Sequence, residues 1–124
     1  MQQEPAPLSR YVRVLQDRGH TVLEFRGEID IVAAEEIAPH LDDATASPAP
    51  RIVIDLGPVE FFDASGLRLL YRARSRVLSR GGRLSLVCAH PQTLRVLRTA
   101  GLLRLLPAQP TRDAALDRPE SPAR

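Results

Sequence analysis

The sequence predicts an α/β fold with a mixed four- to five-stranded sheet, an N-terminal hairpin and three or four helices. Three observations predict it. From residue 30 onward, short apolar segments alternate with amphipathic stretches, the pattern of parallel strands joined by helical crossovers. Ile52-Val53-Ile54 is a continuous β-branched run, as expected of a central strand buried on both faces. Two alternating segments near the N-terminus flank Asp17-Arg18-Gly19, which supplies the turn of an antiparallel hairpin.

Tyr11 to Leu15 sets apolar positions against Arg13, and Val22 to Arg26 alternates Leu23 and Phe25 with Glu24 and Arg26, so both read as half-buried strands. Asp30 is placed to cap a helix running through Ala34, Ile37, Leu41 and Ala44, whose spacing puts them on one face. Pro39 falls inside that run, removes a helix hydrogen bond and predicts a kink or a shortened helix. Gly57-Pro58 ends the central strand, and a loop then delivers Ser65 to the next helix.

That helix, Gly66 to Arg80, is the clearest in the chain. Leu67, Leu70, Tyr71, Ala73, Val77 and Leu78 share one arc at 100° per residue, and Arg68, Arg72, Arg76 and Arg80 form a row opposite. Arg74 falls inside the apolar arc, where its stem can lie along apolar surface. Leu69 falls on the polar side, one turn from Ser65, and is a candidate contact. Gly81-Gly82 stops the helix and Leu84 to Cys88 forms another strand. Pro91 to Ala100 forms a last helix, with Pro91 in its first turn and Gly101 past its end.

At 124 residues the chain holds one domain, and 44% apolar with 26% charged residues suits a packed interior. Residues 1–7 and 107–124 hold six of the eleven prolines. The expected organisation is a flexible N-terminal tail over residues 1–7, a folded domain over 8–118 and a flexible C-terminal tail over 119–124, with Ala114, Ala115 and Leu116 able to form a last helical turn. One cysteine, Cys88, excludes an internal disulfide and a Cys-rich metal site. With no apolar run long enough to span a bilayer and no leader pattern after Met1, a cytoplasmic protein is expected.

Enzyme chemistry has little to stand on, and neither a catalytic residue, a metal nor a cofactor is expected. His20, His40 and His90 fall at a turn, a helix face and a loop, without metal-ligand spacing or the arrangement of a nucleophile and its base. Asp55, at the end of the central strand, could face a cleft or satisfy nearby backbone amides. Gly81-Gly82 follows a helix and lacks the spacing of a phosphate loop.

Phe61-Phe62-Asp63-Ala64-Ser65-Gly66-Leu67 carries the remaining chemistry. Ser65 reads either as a helix N-cap or as a functional hydroxyl. Taken with Asp55-Leu56, Val59-Glu60 and Gly27-Glu28-Ile29-Asp30, the segment resembles the STAS-domain anti-sigma factor antagonists of bacteria over about residues 8 to 118. The resemblance implies a STAS-like fold. It implies phosphorylation of the serine before Gly-Leu, here Ser65, by an ATP-binding partner that is both anti-sigma factor and serine kinase. It also implies that the unmodified antagonist binds this partner and frees the sigma factor, and that a metal-dependent phosphoserine phosphatase resets the switch. Ala64 stands where the family often has Ser or Thr, which leaves Ser65 as the one hydroxyl of the motif. The expected partner-binding residues are Glu28, Asp30, Phe62, Asp63, Ala64, Gly66, Leu67 and Leu69.

Two other functions compete. STAS domains also serve as subunits of stress-signalling and lipid-transport complexes. The Arg row could instead serve a nucleic-acid-associated protein, although with Tyr71 on the buried face no aromatic is left to stack on bases. Neither direct nucleic-acid nor membrane binding is therefore expected. The net charge of +2 hides a divided chain. Residues 1–63 carry five Arg against twelve acids, a net −7, whereas residues 64–112 carry ten Arg and no acid. One phosphate at Ser65 would fall on the boundary.

Overall fold

The hairpin forms as expected. β1 (Val12–Asp17) and β2 (His20–Phe25) pair antiparallel from Val12–Phe25 to Asp17–His20. Arg18 and Gly19 between them both have positive φ, 49° and 79°, the requirement of a two-residue turn that follows the strand twist. The structure is a computed structural model and describes residues 9–117; the two expected tails lie outside the described residues.

After β2 the chain runs through β3 (Gly27–Ile29), α1 (Ile31–Ala44), β4 (Arg51–Asp55), β5 (Val59–Phe62), α2 (Ala64–Ser79) and β6 (Arg83–Val87). It ends with α3 (Pro91–Thr99), α4 (Leu102–Leu105), β7 (Ala108–Gln109) and α5 (Arg112–Leu116). The main sheet has five strands in the order β1-β2-β4-β6-β7, antiparallel only at the hairpin. β4 is central, and Ile52, Val53 and Ile54 are fully or almost fully buried because both faces of the sheet are covered. On one face Leu23, Phe25, Ile54 and Leu86 pack beneath Ile37 of α1 and Leu70 of α2. On the other, Val22, Val53 and Val87 are covered by Ala115 and Leu116 of α5.

Several expectations need correction. Residues 59–62 form a strand, not a loop: β5 pairs in parallel with β3 as a separate two-stranded sheet. α3 is not the last helix: over residues 107–117, β7 extends the main sheet and α5 roofs its second face. Pro39 neither ends nor shortens α1, which continues to Ala44. Pro39 and Glu35, whose carbonyl loses its helical partner, both lie on the exposed side of α1.

The buried face of α2 is also rotated from the expected arc. Gly66, Leu69, Leu70, Ala73 and Val77 are buried, whereas Tyr71 and Leu78 are exposed. Leu69 is only 4% exposed and does not lie on a polar surface. The cause is that α2 packs on α1 as well as on the sheet, which turns the side bearing Arg72 and Arg76 toward a neighbouring helix.

Candidate functional site

The parallel pairing of β3 with β5 brings the two motif segments together. Ile29 is registered with Phe62, and the Asp63 amide donates to the Ile29 carbonyl at 3.4 Å. The next residues in each segment, Asp30 and Asp63, therefore start α1 and α2 side by side. Each is an N-cap: Asp30 Oδ1 accepts from the Ala33 amide at 3.0 Å, and Asp63 Oδ1 accepts from the Ser65 amide at 2.8 Å. These bonds satisfy amides that a helix start leaves without partners.

Ser65 is accordingly not the N-cap. It is the second residue of α2 and 9% exposed, and among the described residues its hydroxyl has no hydrogen-bond partner. It opens into a groove of about 320 Å³ between α1 and α2. Small side chains on α1, Ala34 and Ala38, leave this space, and Leu69 lies against it from α2. Glu35, Arg68 and Arg72 add charged groups, and Ile31 belongs to the same lining.

The two helices run in the same direction. Further along them, Arg72 donates to both carboxylate oxygens of Asp42 at 2.8 and 2.7 Å, and Arg76 donates to Thr45 Oγ1 at 2.7 Å. The bidentate hydrogen bonds from Arg72 hold the Asp42 carboxyl below the ordinary carboxylate range, against the opposing effect of partial burial. Two members of the expected Arg row thus face α1 and are occupied there.

A family profile for the STAS domain matches residues 11–115. The chain belongs to the STAS domain family. The anti-sigma-F factor antagonist RsfB of Mycobacterium tuberculosis is 32% identical over 97 residues, covering 78% of this chain and 79% of the relative. Among solved structures, an anti-sigma factor antagonist from Mycobacterium paratuberculosis is 32% identical with a TM-score of 0.77, covering 85% of this chain and 89% of that one. A STAS-domain protein from Planctomyces limnophilus is 29% identical with a TM-score of 0.75, covering 85% of this chain and 94% of that one.

Within the STAS domain, the expected site residues divide into those at the helix starts and those turned inward. Glu28 is exposed on β3, Asp30 and Asp63 cap the helices, and Ala64 is exposed at the start of α2. Leu67 is half-buried and Leu69 lines the groove. Phe62 does not offer its ring to a partner: it is buried, and it lies against Gly66, where a Cβ would stand 2.5 Å from a ring carbon. Phe62 and Gly66 are packing residues that seat α2 on β5.

The apolar part of the surface was missed. Ile31, Val32 and Phe61 are 60%, 56% and 52% exposed, and they flank the two caps in sequence. Ile31 and Val32 lie outside the arc of Ala33, Ile37 and Leu41, and two β-branched residues on the outer side of an amphipathic helix are the signal that could have found them.

Other chemistry is bound up in structure. Asp55 accepts from the Gly57 amide at 2.8 Å and from Arg112 at 3.0 Å, and Arg112 also donates to Glu24 at 2.6 Å. Burial pushes the Cys88 thiol above its usual range, which disfavours the reactive thiolate. Among the described residues, no group of three or more His, Cys, Asp and Glu side chains could hold a metal, and no helix is long and apolar enough to cross a membrane.

Proposed function

We propose that this chain is an anti-sigma factor antagonist that works by partner switching. Unmodified, it binds an anti-sigma factor of the ATP-binding serine-kinase type through the paired starts of α1 and α2, and the sigma factor is released. Transfer of the γ-phosphoryl group of ATP to Ser65 Oγ, with loss of the hydroxyl proton and departure of ADP, switches binding off. A phosphoserine phosphatase restores the hydroxyl.

The observation that carries this proposal is the Ser65 hydroxyl, without a hydrogen-bond partner and open to the groove. It lies in a surface that combines exposed Ile31, Val32 and Phe61 with the carboxylates of Asp30 and Asp63. Apolar anchors among acidic groups suit a partner surface that is itself apolar and basic. The names borne by the mycobacterial relatives support the same activity.

A phosphate brings about −1.5 to −2 charge at neutral pH, and at the start of a helix this charge is compatible with the helix dipole. The fold therefore survives modification. At a desolvated interface, an uncompensated charge costs roughly 2 to 5 kcal/mol, enough to dissociate a micromolar complex.

The test is phosphorylation by the ATP-binding anti-sigma kinase encoded in the native host, read by mass spectrometry. Wild type takes up one phosphate on Ser65, whereas Ser65→Ala takes up none and binds the kinase whether or not ATP is present. Persistent labelling of the Ala variant, or equal binding by modified and unmodified protein, would overturn the proposal.

A further inference from the structure

We propose that Arg68 is the intramolecular partner of the Ser65 phosphate, and that the resulting ion pair closes the α1–α2 groove in the modified state. The inference rests on Ser65 being the modified residue and adds how the modified state is held. Three observations carry it.

Ser65 is about nine-tenths buried, its hydroxyl lacks a partner, and it lines the groove. Arg68 lines the same groove three residues further along α2, and side chains at that spacing are neighbours on a helix, with Cβ atoms about 5–6 Å apart. Among the described residues, Arg68 is exposed and makes no hydrogen bond or ion pair, so nothing must break for it to turn toward Ser65.

The surrounding charges favour Arg68 over its neighbour. Arg72 also lines the groove, but both carboxylate oxygens of Asp42 hold it. Glu35 lies across the groove on α1, and the Asp63 carboxylate already holds the Ser65 amide. A dianionic phosphate in a groove that already holds Glu35, next to the Asp63 cap, needs a cation, and Arg68 is the uncommitted one in the groove lining. A guanidinium can meet two phosphate oxygens with parallel N–H donors, which ammonium groups cannot match in geometry. Once paired, the phosphate and the Arg68 side chain lie over a space that in the unmodified protein is open between Ala34, Ala38 and Leu69. The modified domain thus loses the groove as well as gaining charge.

The experiment uses the full chain with phosphoserine installed at position 65 by genetic encoding, so it needs no kinase. The phosphate is titrated by ³¹P NMR in wild type, Arg68→Gln, Arg68→Lys and Arg72→Gln. An ordinary phosphoserine has its second pKa near 6. Pairing with Arg68 stabilises the dianion, so the wild-type midpoint lies below that of Arg68→Gln by on the order of half a pH unit. Arg68→Lys falls between them, and Arg72→Gln matches wild type. Equal midpoints in wild type and Arg68→Gln, or a shift that follows Arg72, would overturn the assignment. Failure of the kinase to label Ser65 would instead sink the proposed function and leave this result standing.

Discussion

Gly66 connects the packing of the domain to the position of Ser65, and Gly66→Ala measures that connection. An ideal Cβ at residue 66 would lie 2.5, 2.6 and 2.8 Å from three carbons of the Phe62 ring, whereas carbons attract one another at about 3.5–4.0 Å. Phe62 is buried, so relief requires shifting α2 away from β5 or forcing the ring from its rotamer. Overpacking of this kind costs about 1–3 kcal/mol. Replacing Gly by Ala recovers up to about 1 kcal/mol of helix propensity, but less in the first turn, where residue 66 stands. The expected net loss is about 1–2 kcal/mol, or a fall in Tm of roughly 4–10 °C. Urea unfolding followed by circular dichroism should show a lower midpoint at an unchanged slope. In the double variant Phe62→Leu/Gly66→Ala the smaller side chain relieves the contact, so the double loss is smaller than the sum of the single losses by on the order of 1 kcal/mol. A Gly66→Ala protein as stable as wild type, or strictly additive single and double variants, would refute the reasoning.

Two further predictions concern charge. Arg112→Met leaves Glu24 and the buried Asp55, which are neighbours across the β2–β4 pairing, without their shared cation; breaking this partly buried cluster costs about 2–3 kcal/mol at pH 7. Urea unfolding at pH 7 measures the deficit, and an Arg112→Met protein within about 0.5 kcal/mol of wild type would show that the shared cation contributes nothing to stability. At Asp42 the hydrogen bond from Arg72 lowers the folded pKa, so its stabilisation is present above the unfolded value near 4 and is lost as the pH falls through the lower folded value. Thermal scans of wild type and Asp42→Asn should therefore differ at pH 7 and converge in acid; an unchanged difference at pH 2 would assign the contact to packing instead.

Strong periodicity and residue chemistry made much of this fold legible. The Ile52-Val53-Ile54 run, the Arg18-Gly19 turn and the Asp30 cap all stand where the residues placed them. β3 and β5 were not legible because three and four residues are too few to show a period, and their pairing is long-range. The α2 face was misplaced for a different reason. A helical wheel weighs side chains as if one surface received them, whereas α2 meets the sheet and α1 at once, so Leu69 turns inward and Tyr71 outward. The motif brought Ser65 to the start of α2, but neither Asp63 as the cap of that helix nor which aromatic faces out was legible. Phe61 and Phe62 are adjacent on a strand, and alternation sends one to each side without saying which.

Among the described residues, folding joins the acidic part, residues 1–63, to the basic part, residues 64–112, at two places, and joins Arg18 to acids beyond residue 112 at another. Asp42 meets Arg72 and Arg76 between α1 and α2, Glu24 and Asp55 meet Arg112 under α5, and Arg18 of the hairpin turn meets Asp113 and Asp117 at the ends of α5. Each contact consumes cations from one part and carboxylates from another. The helix starts are left out of this cancellation: Glu28 is exposed, while Asp30 and Asp63 bond to backbone amides and, among the described residues, meet no Arg. A phosphate at Ser65 would add to this uncompensated end, with Arg68 alone of the groove's two Arg residues free to meet it. The ion pairs named above lie at the far end of α1 and around α5, and none of them uses Ser65 or Arg68. The charge at Ser65 can therefore change without drawing on the contacts that stabilise the fold, which is what a reversible surface switch requires.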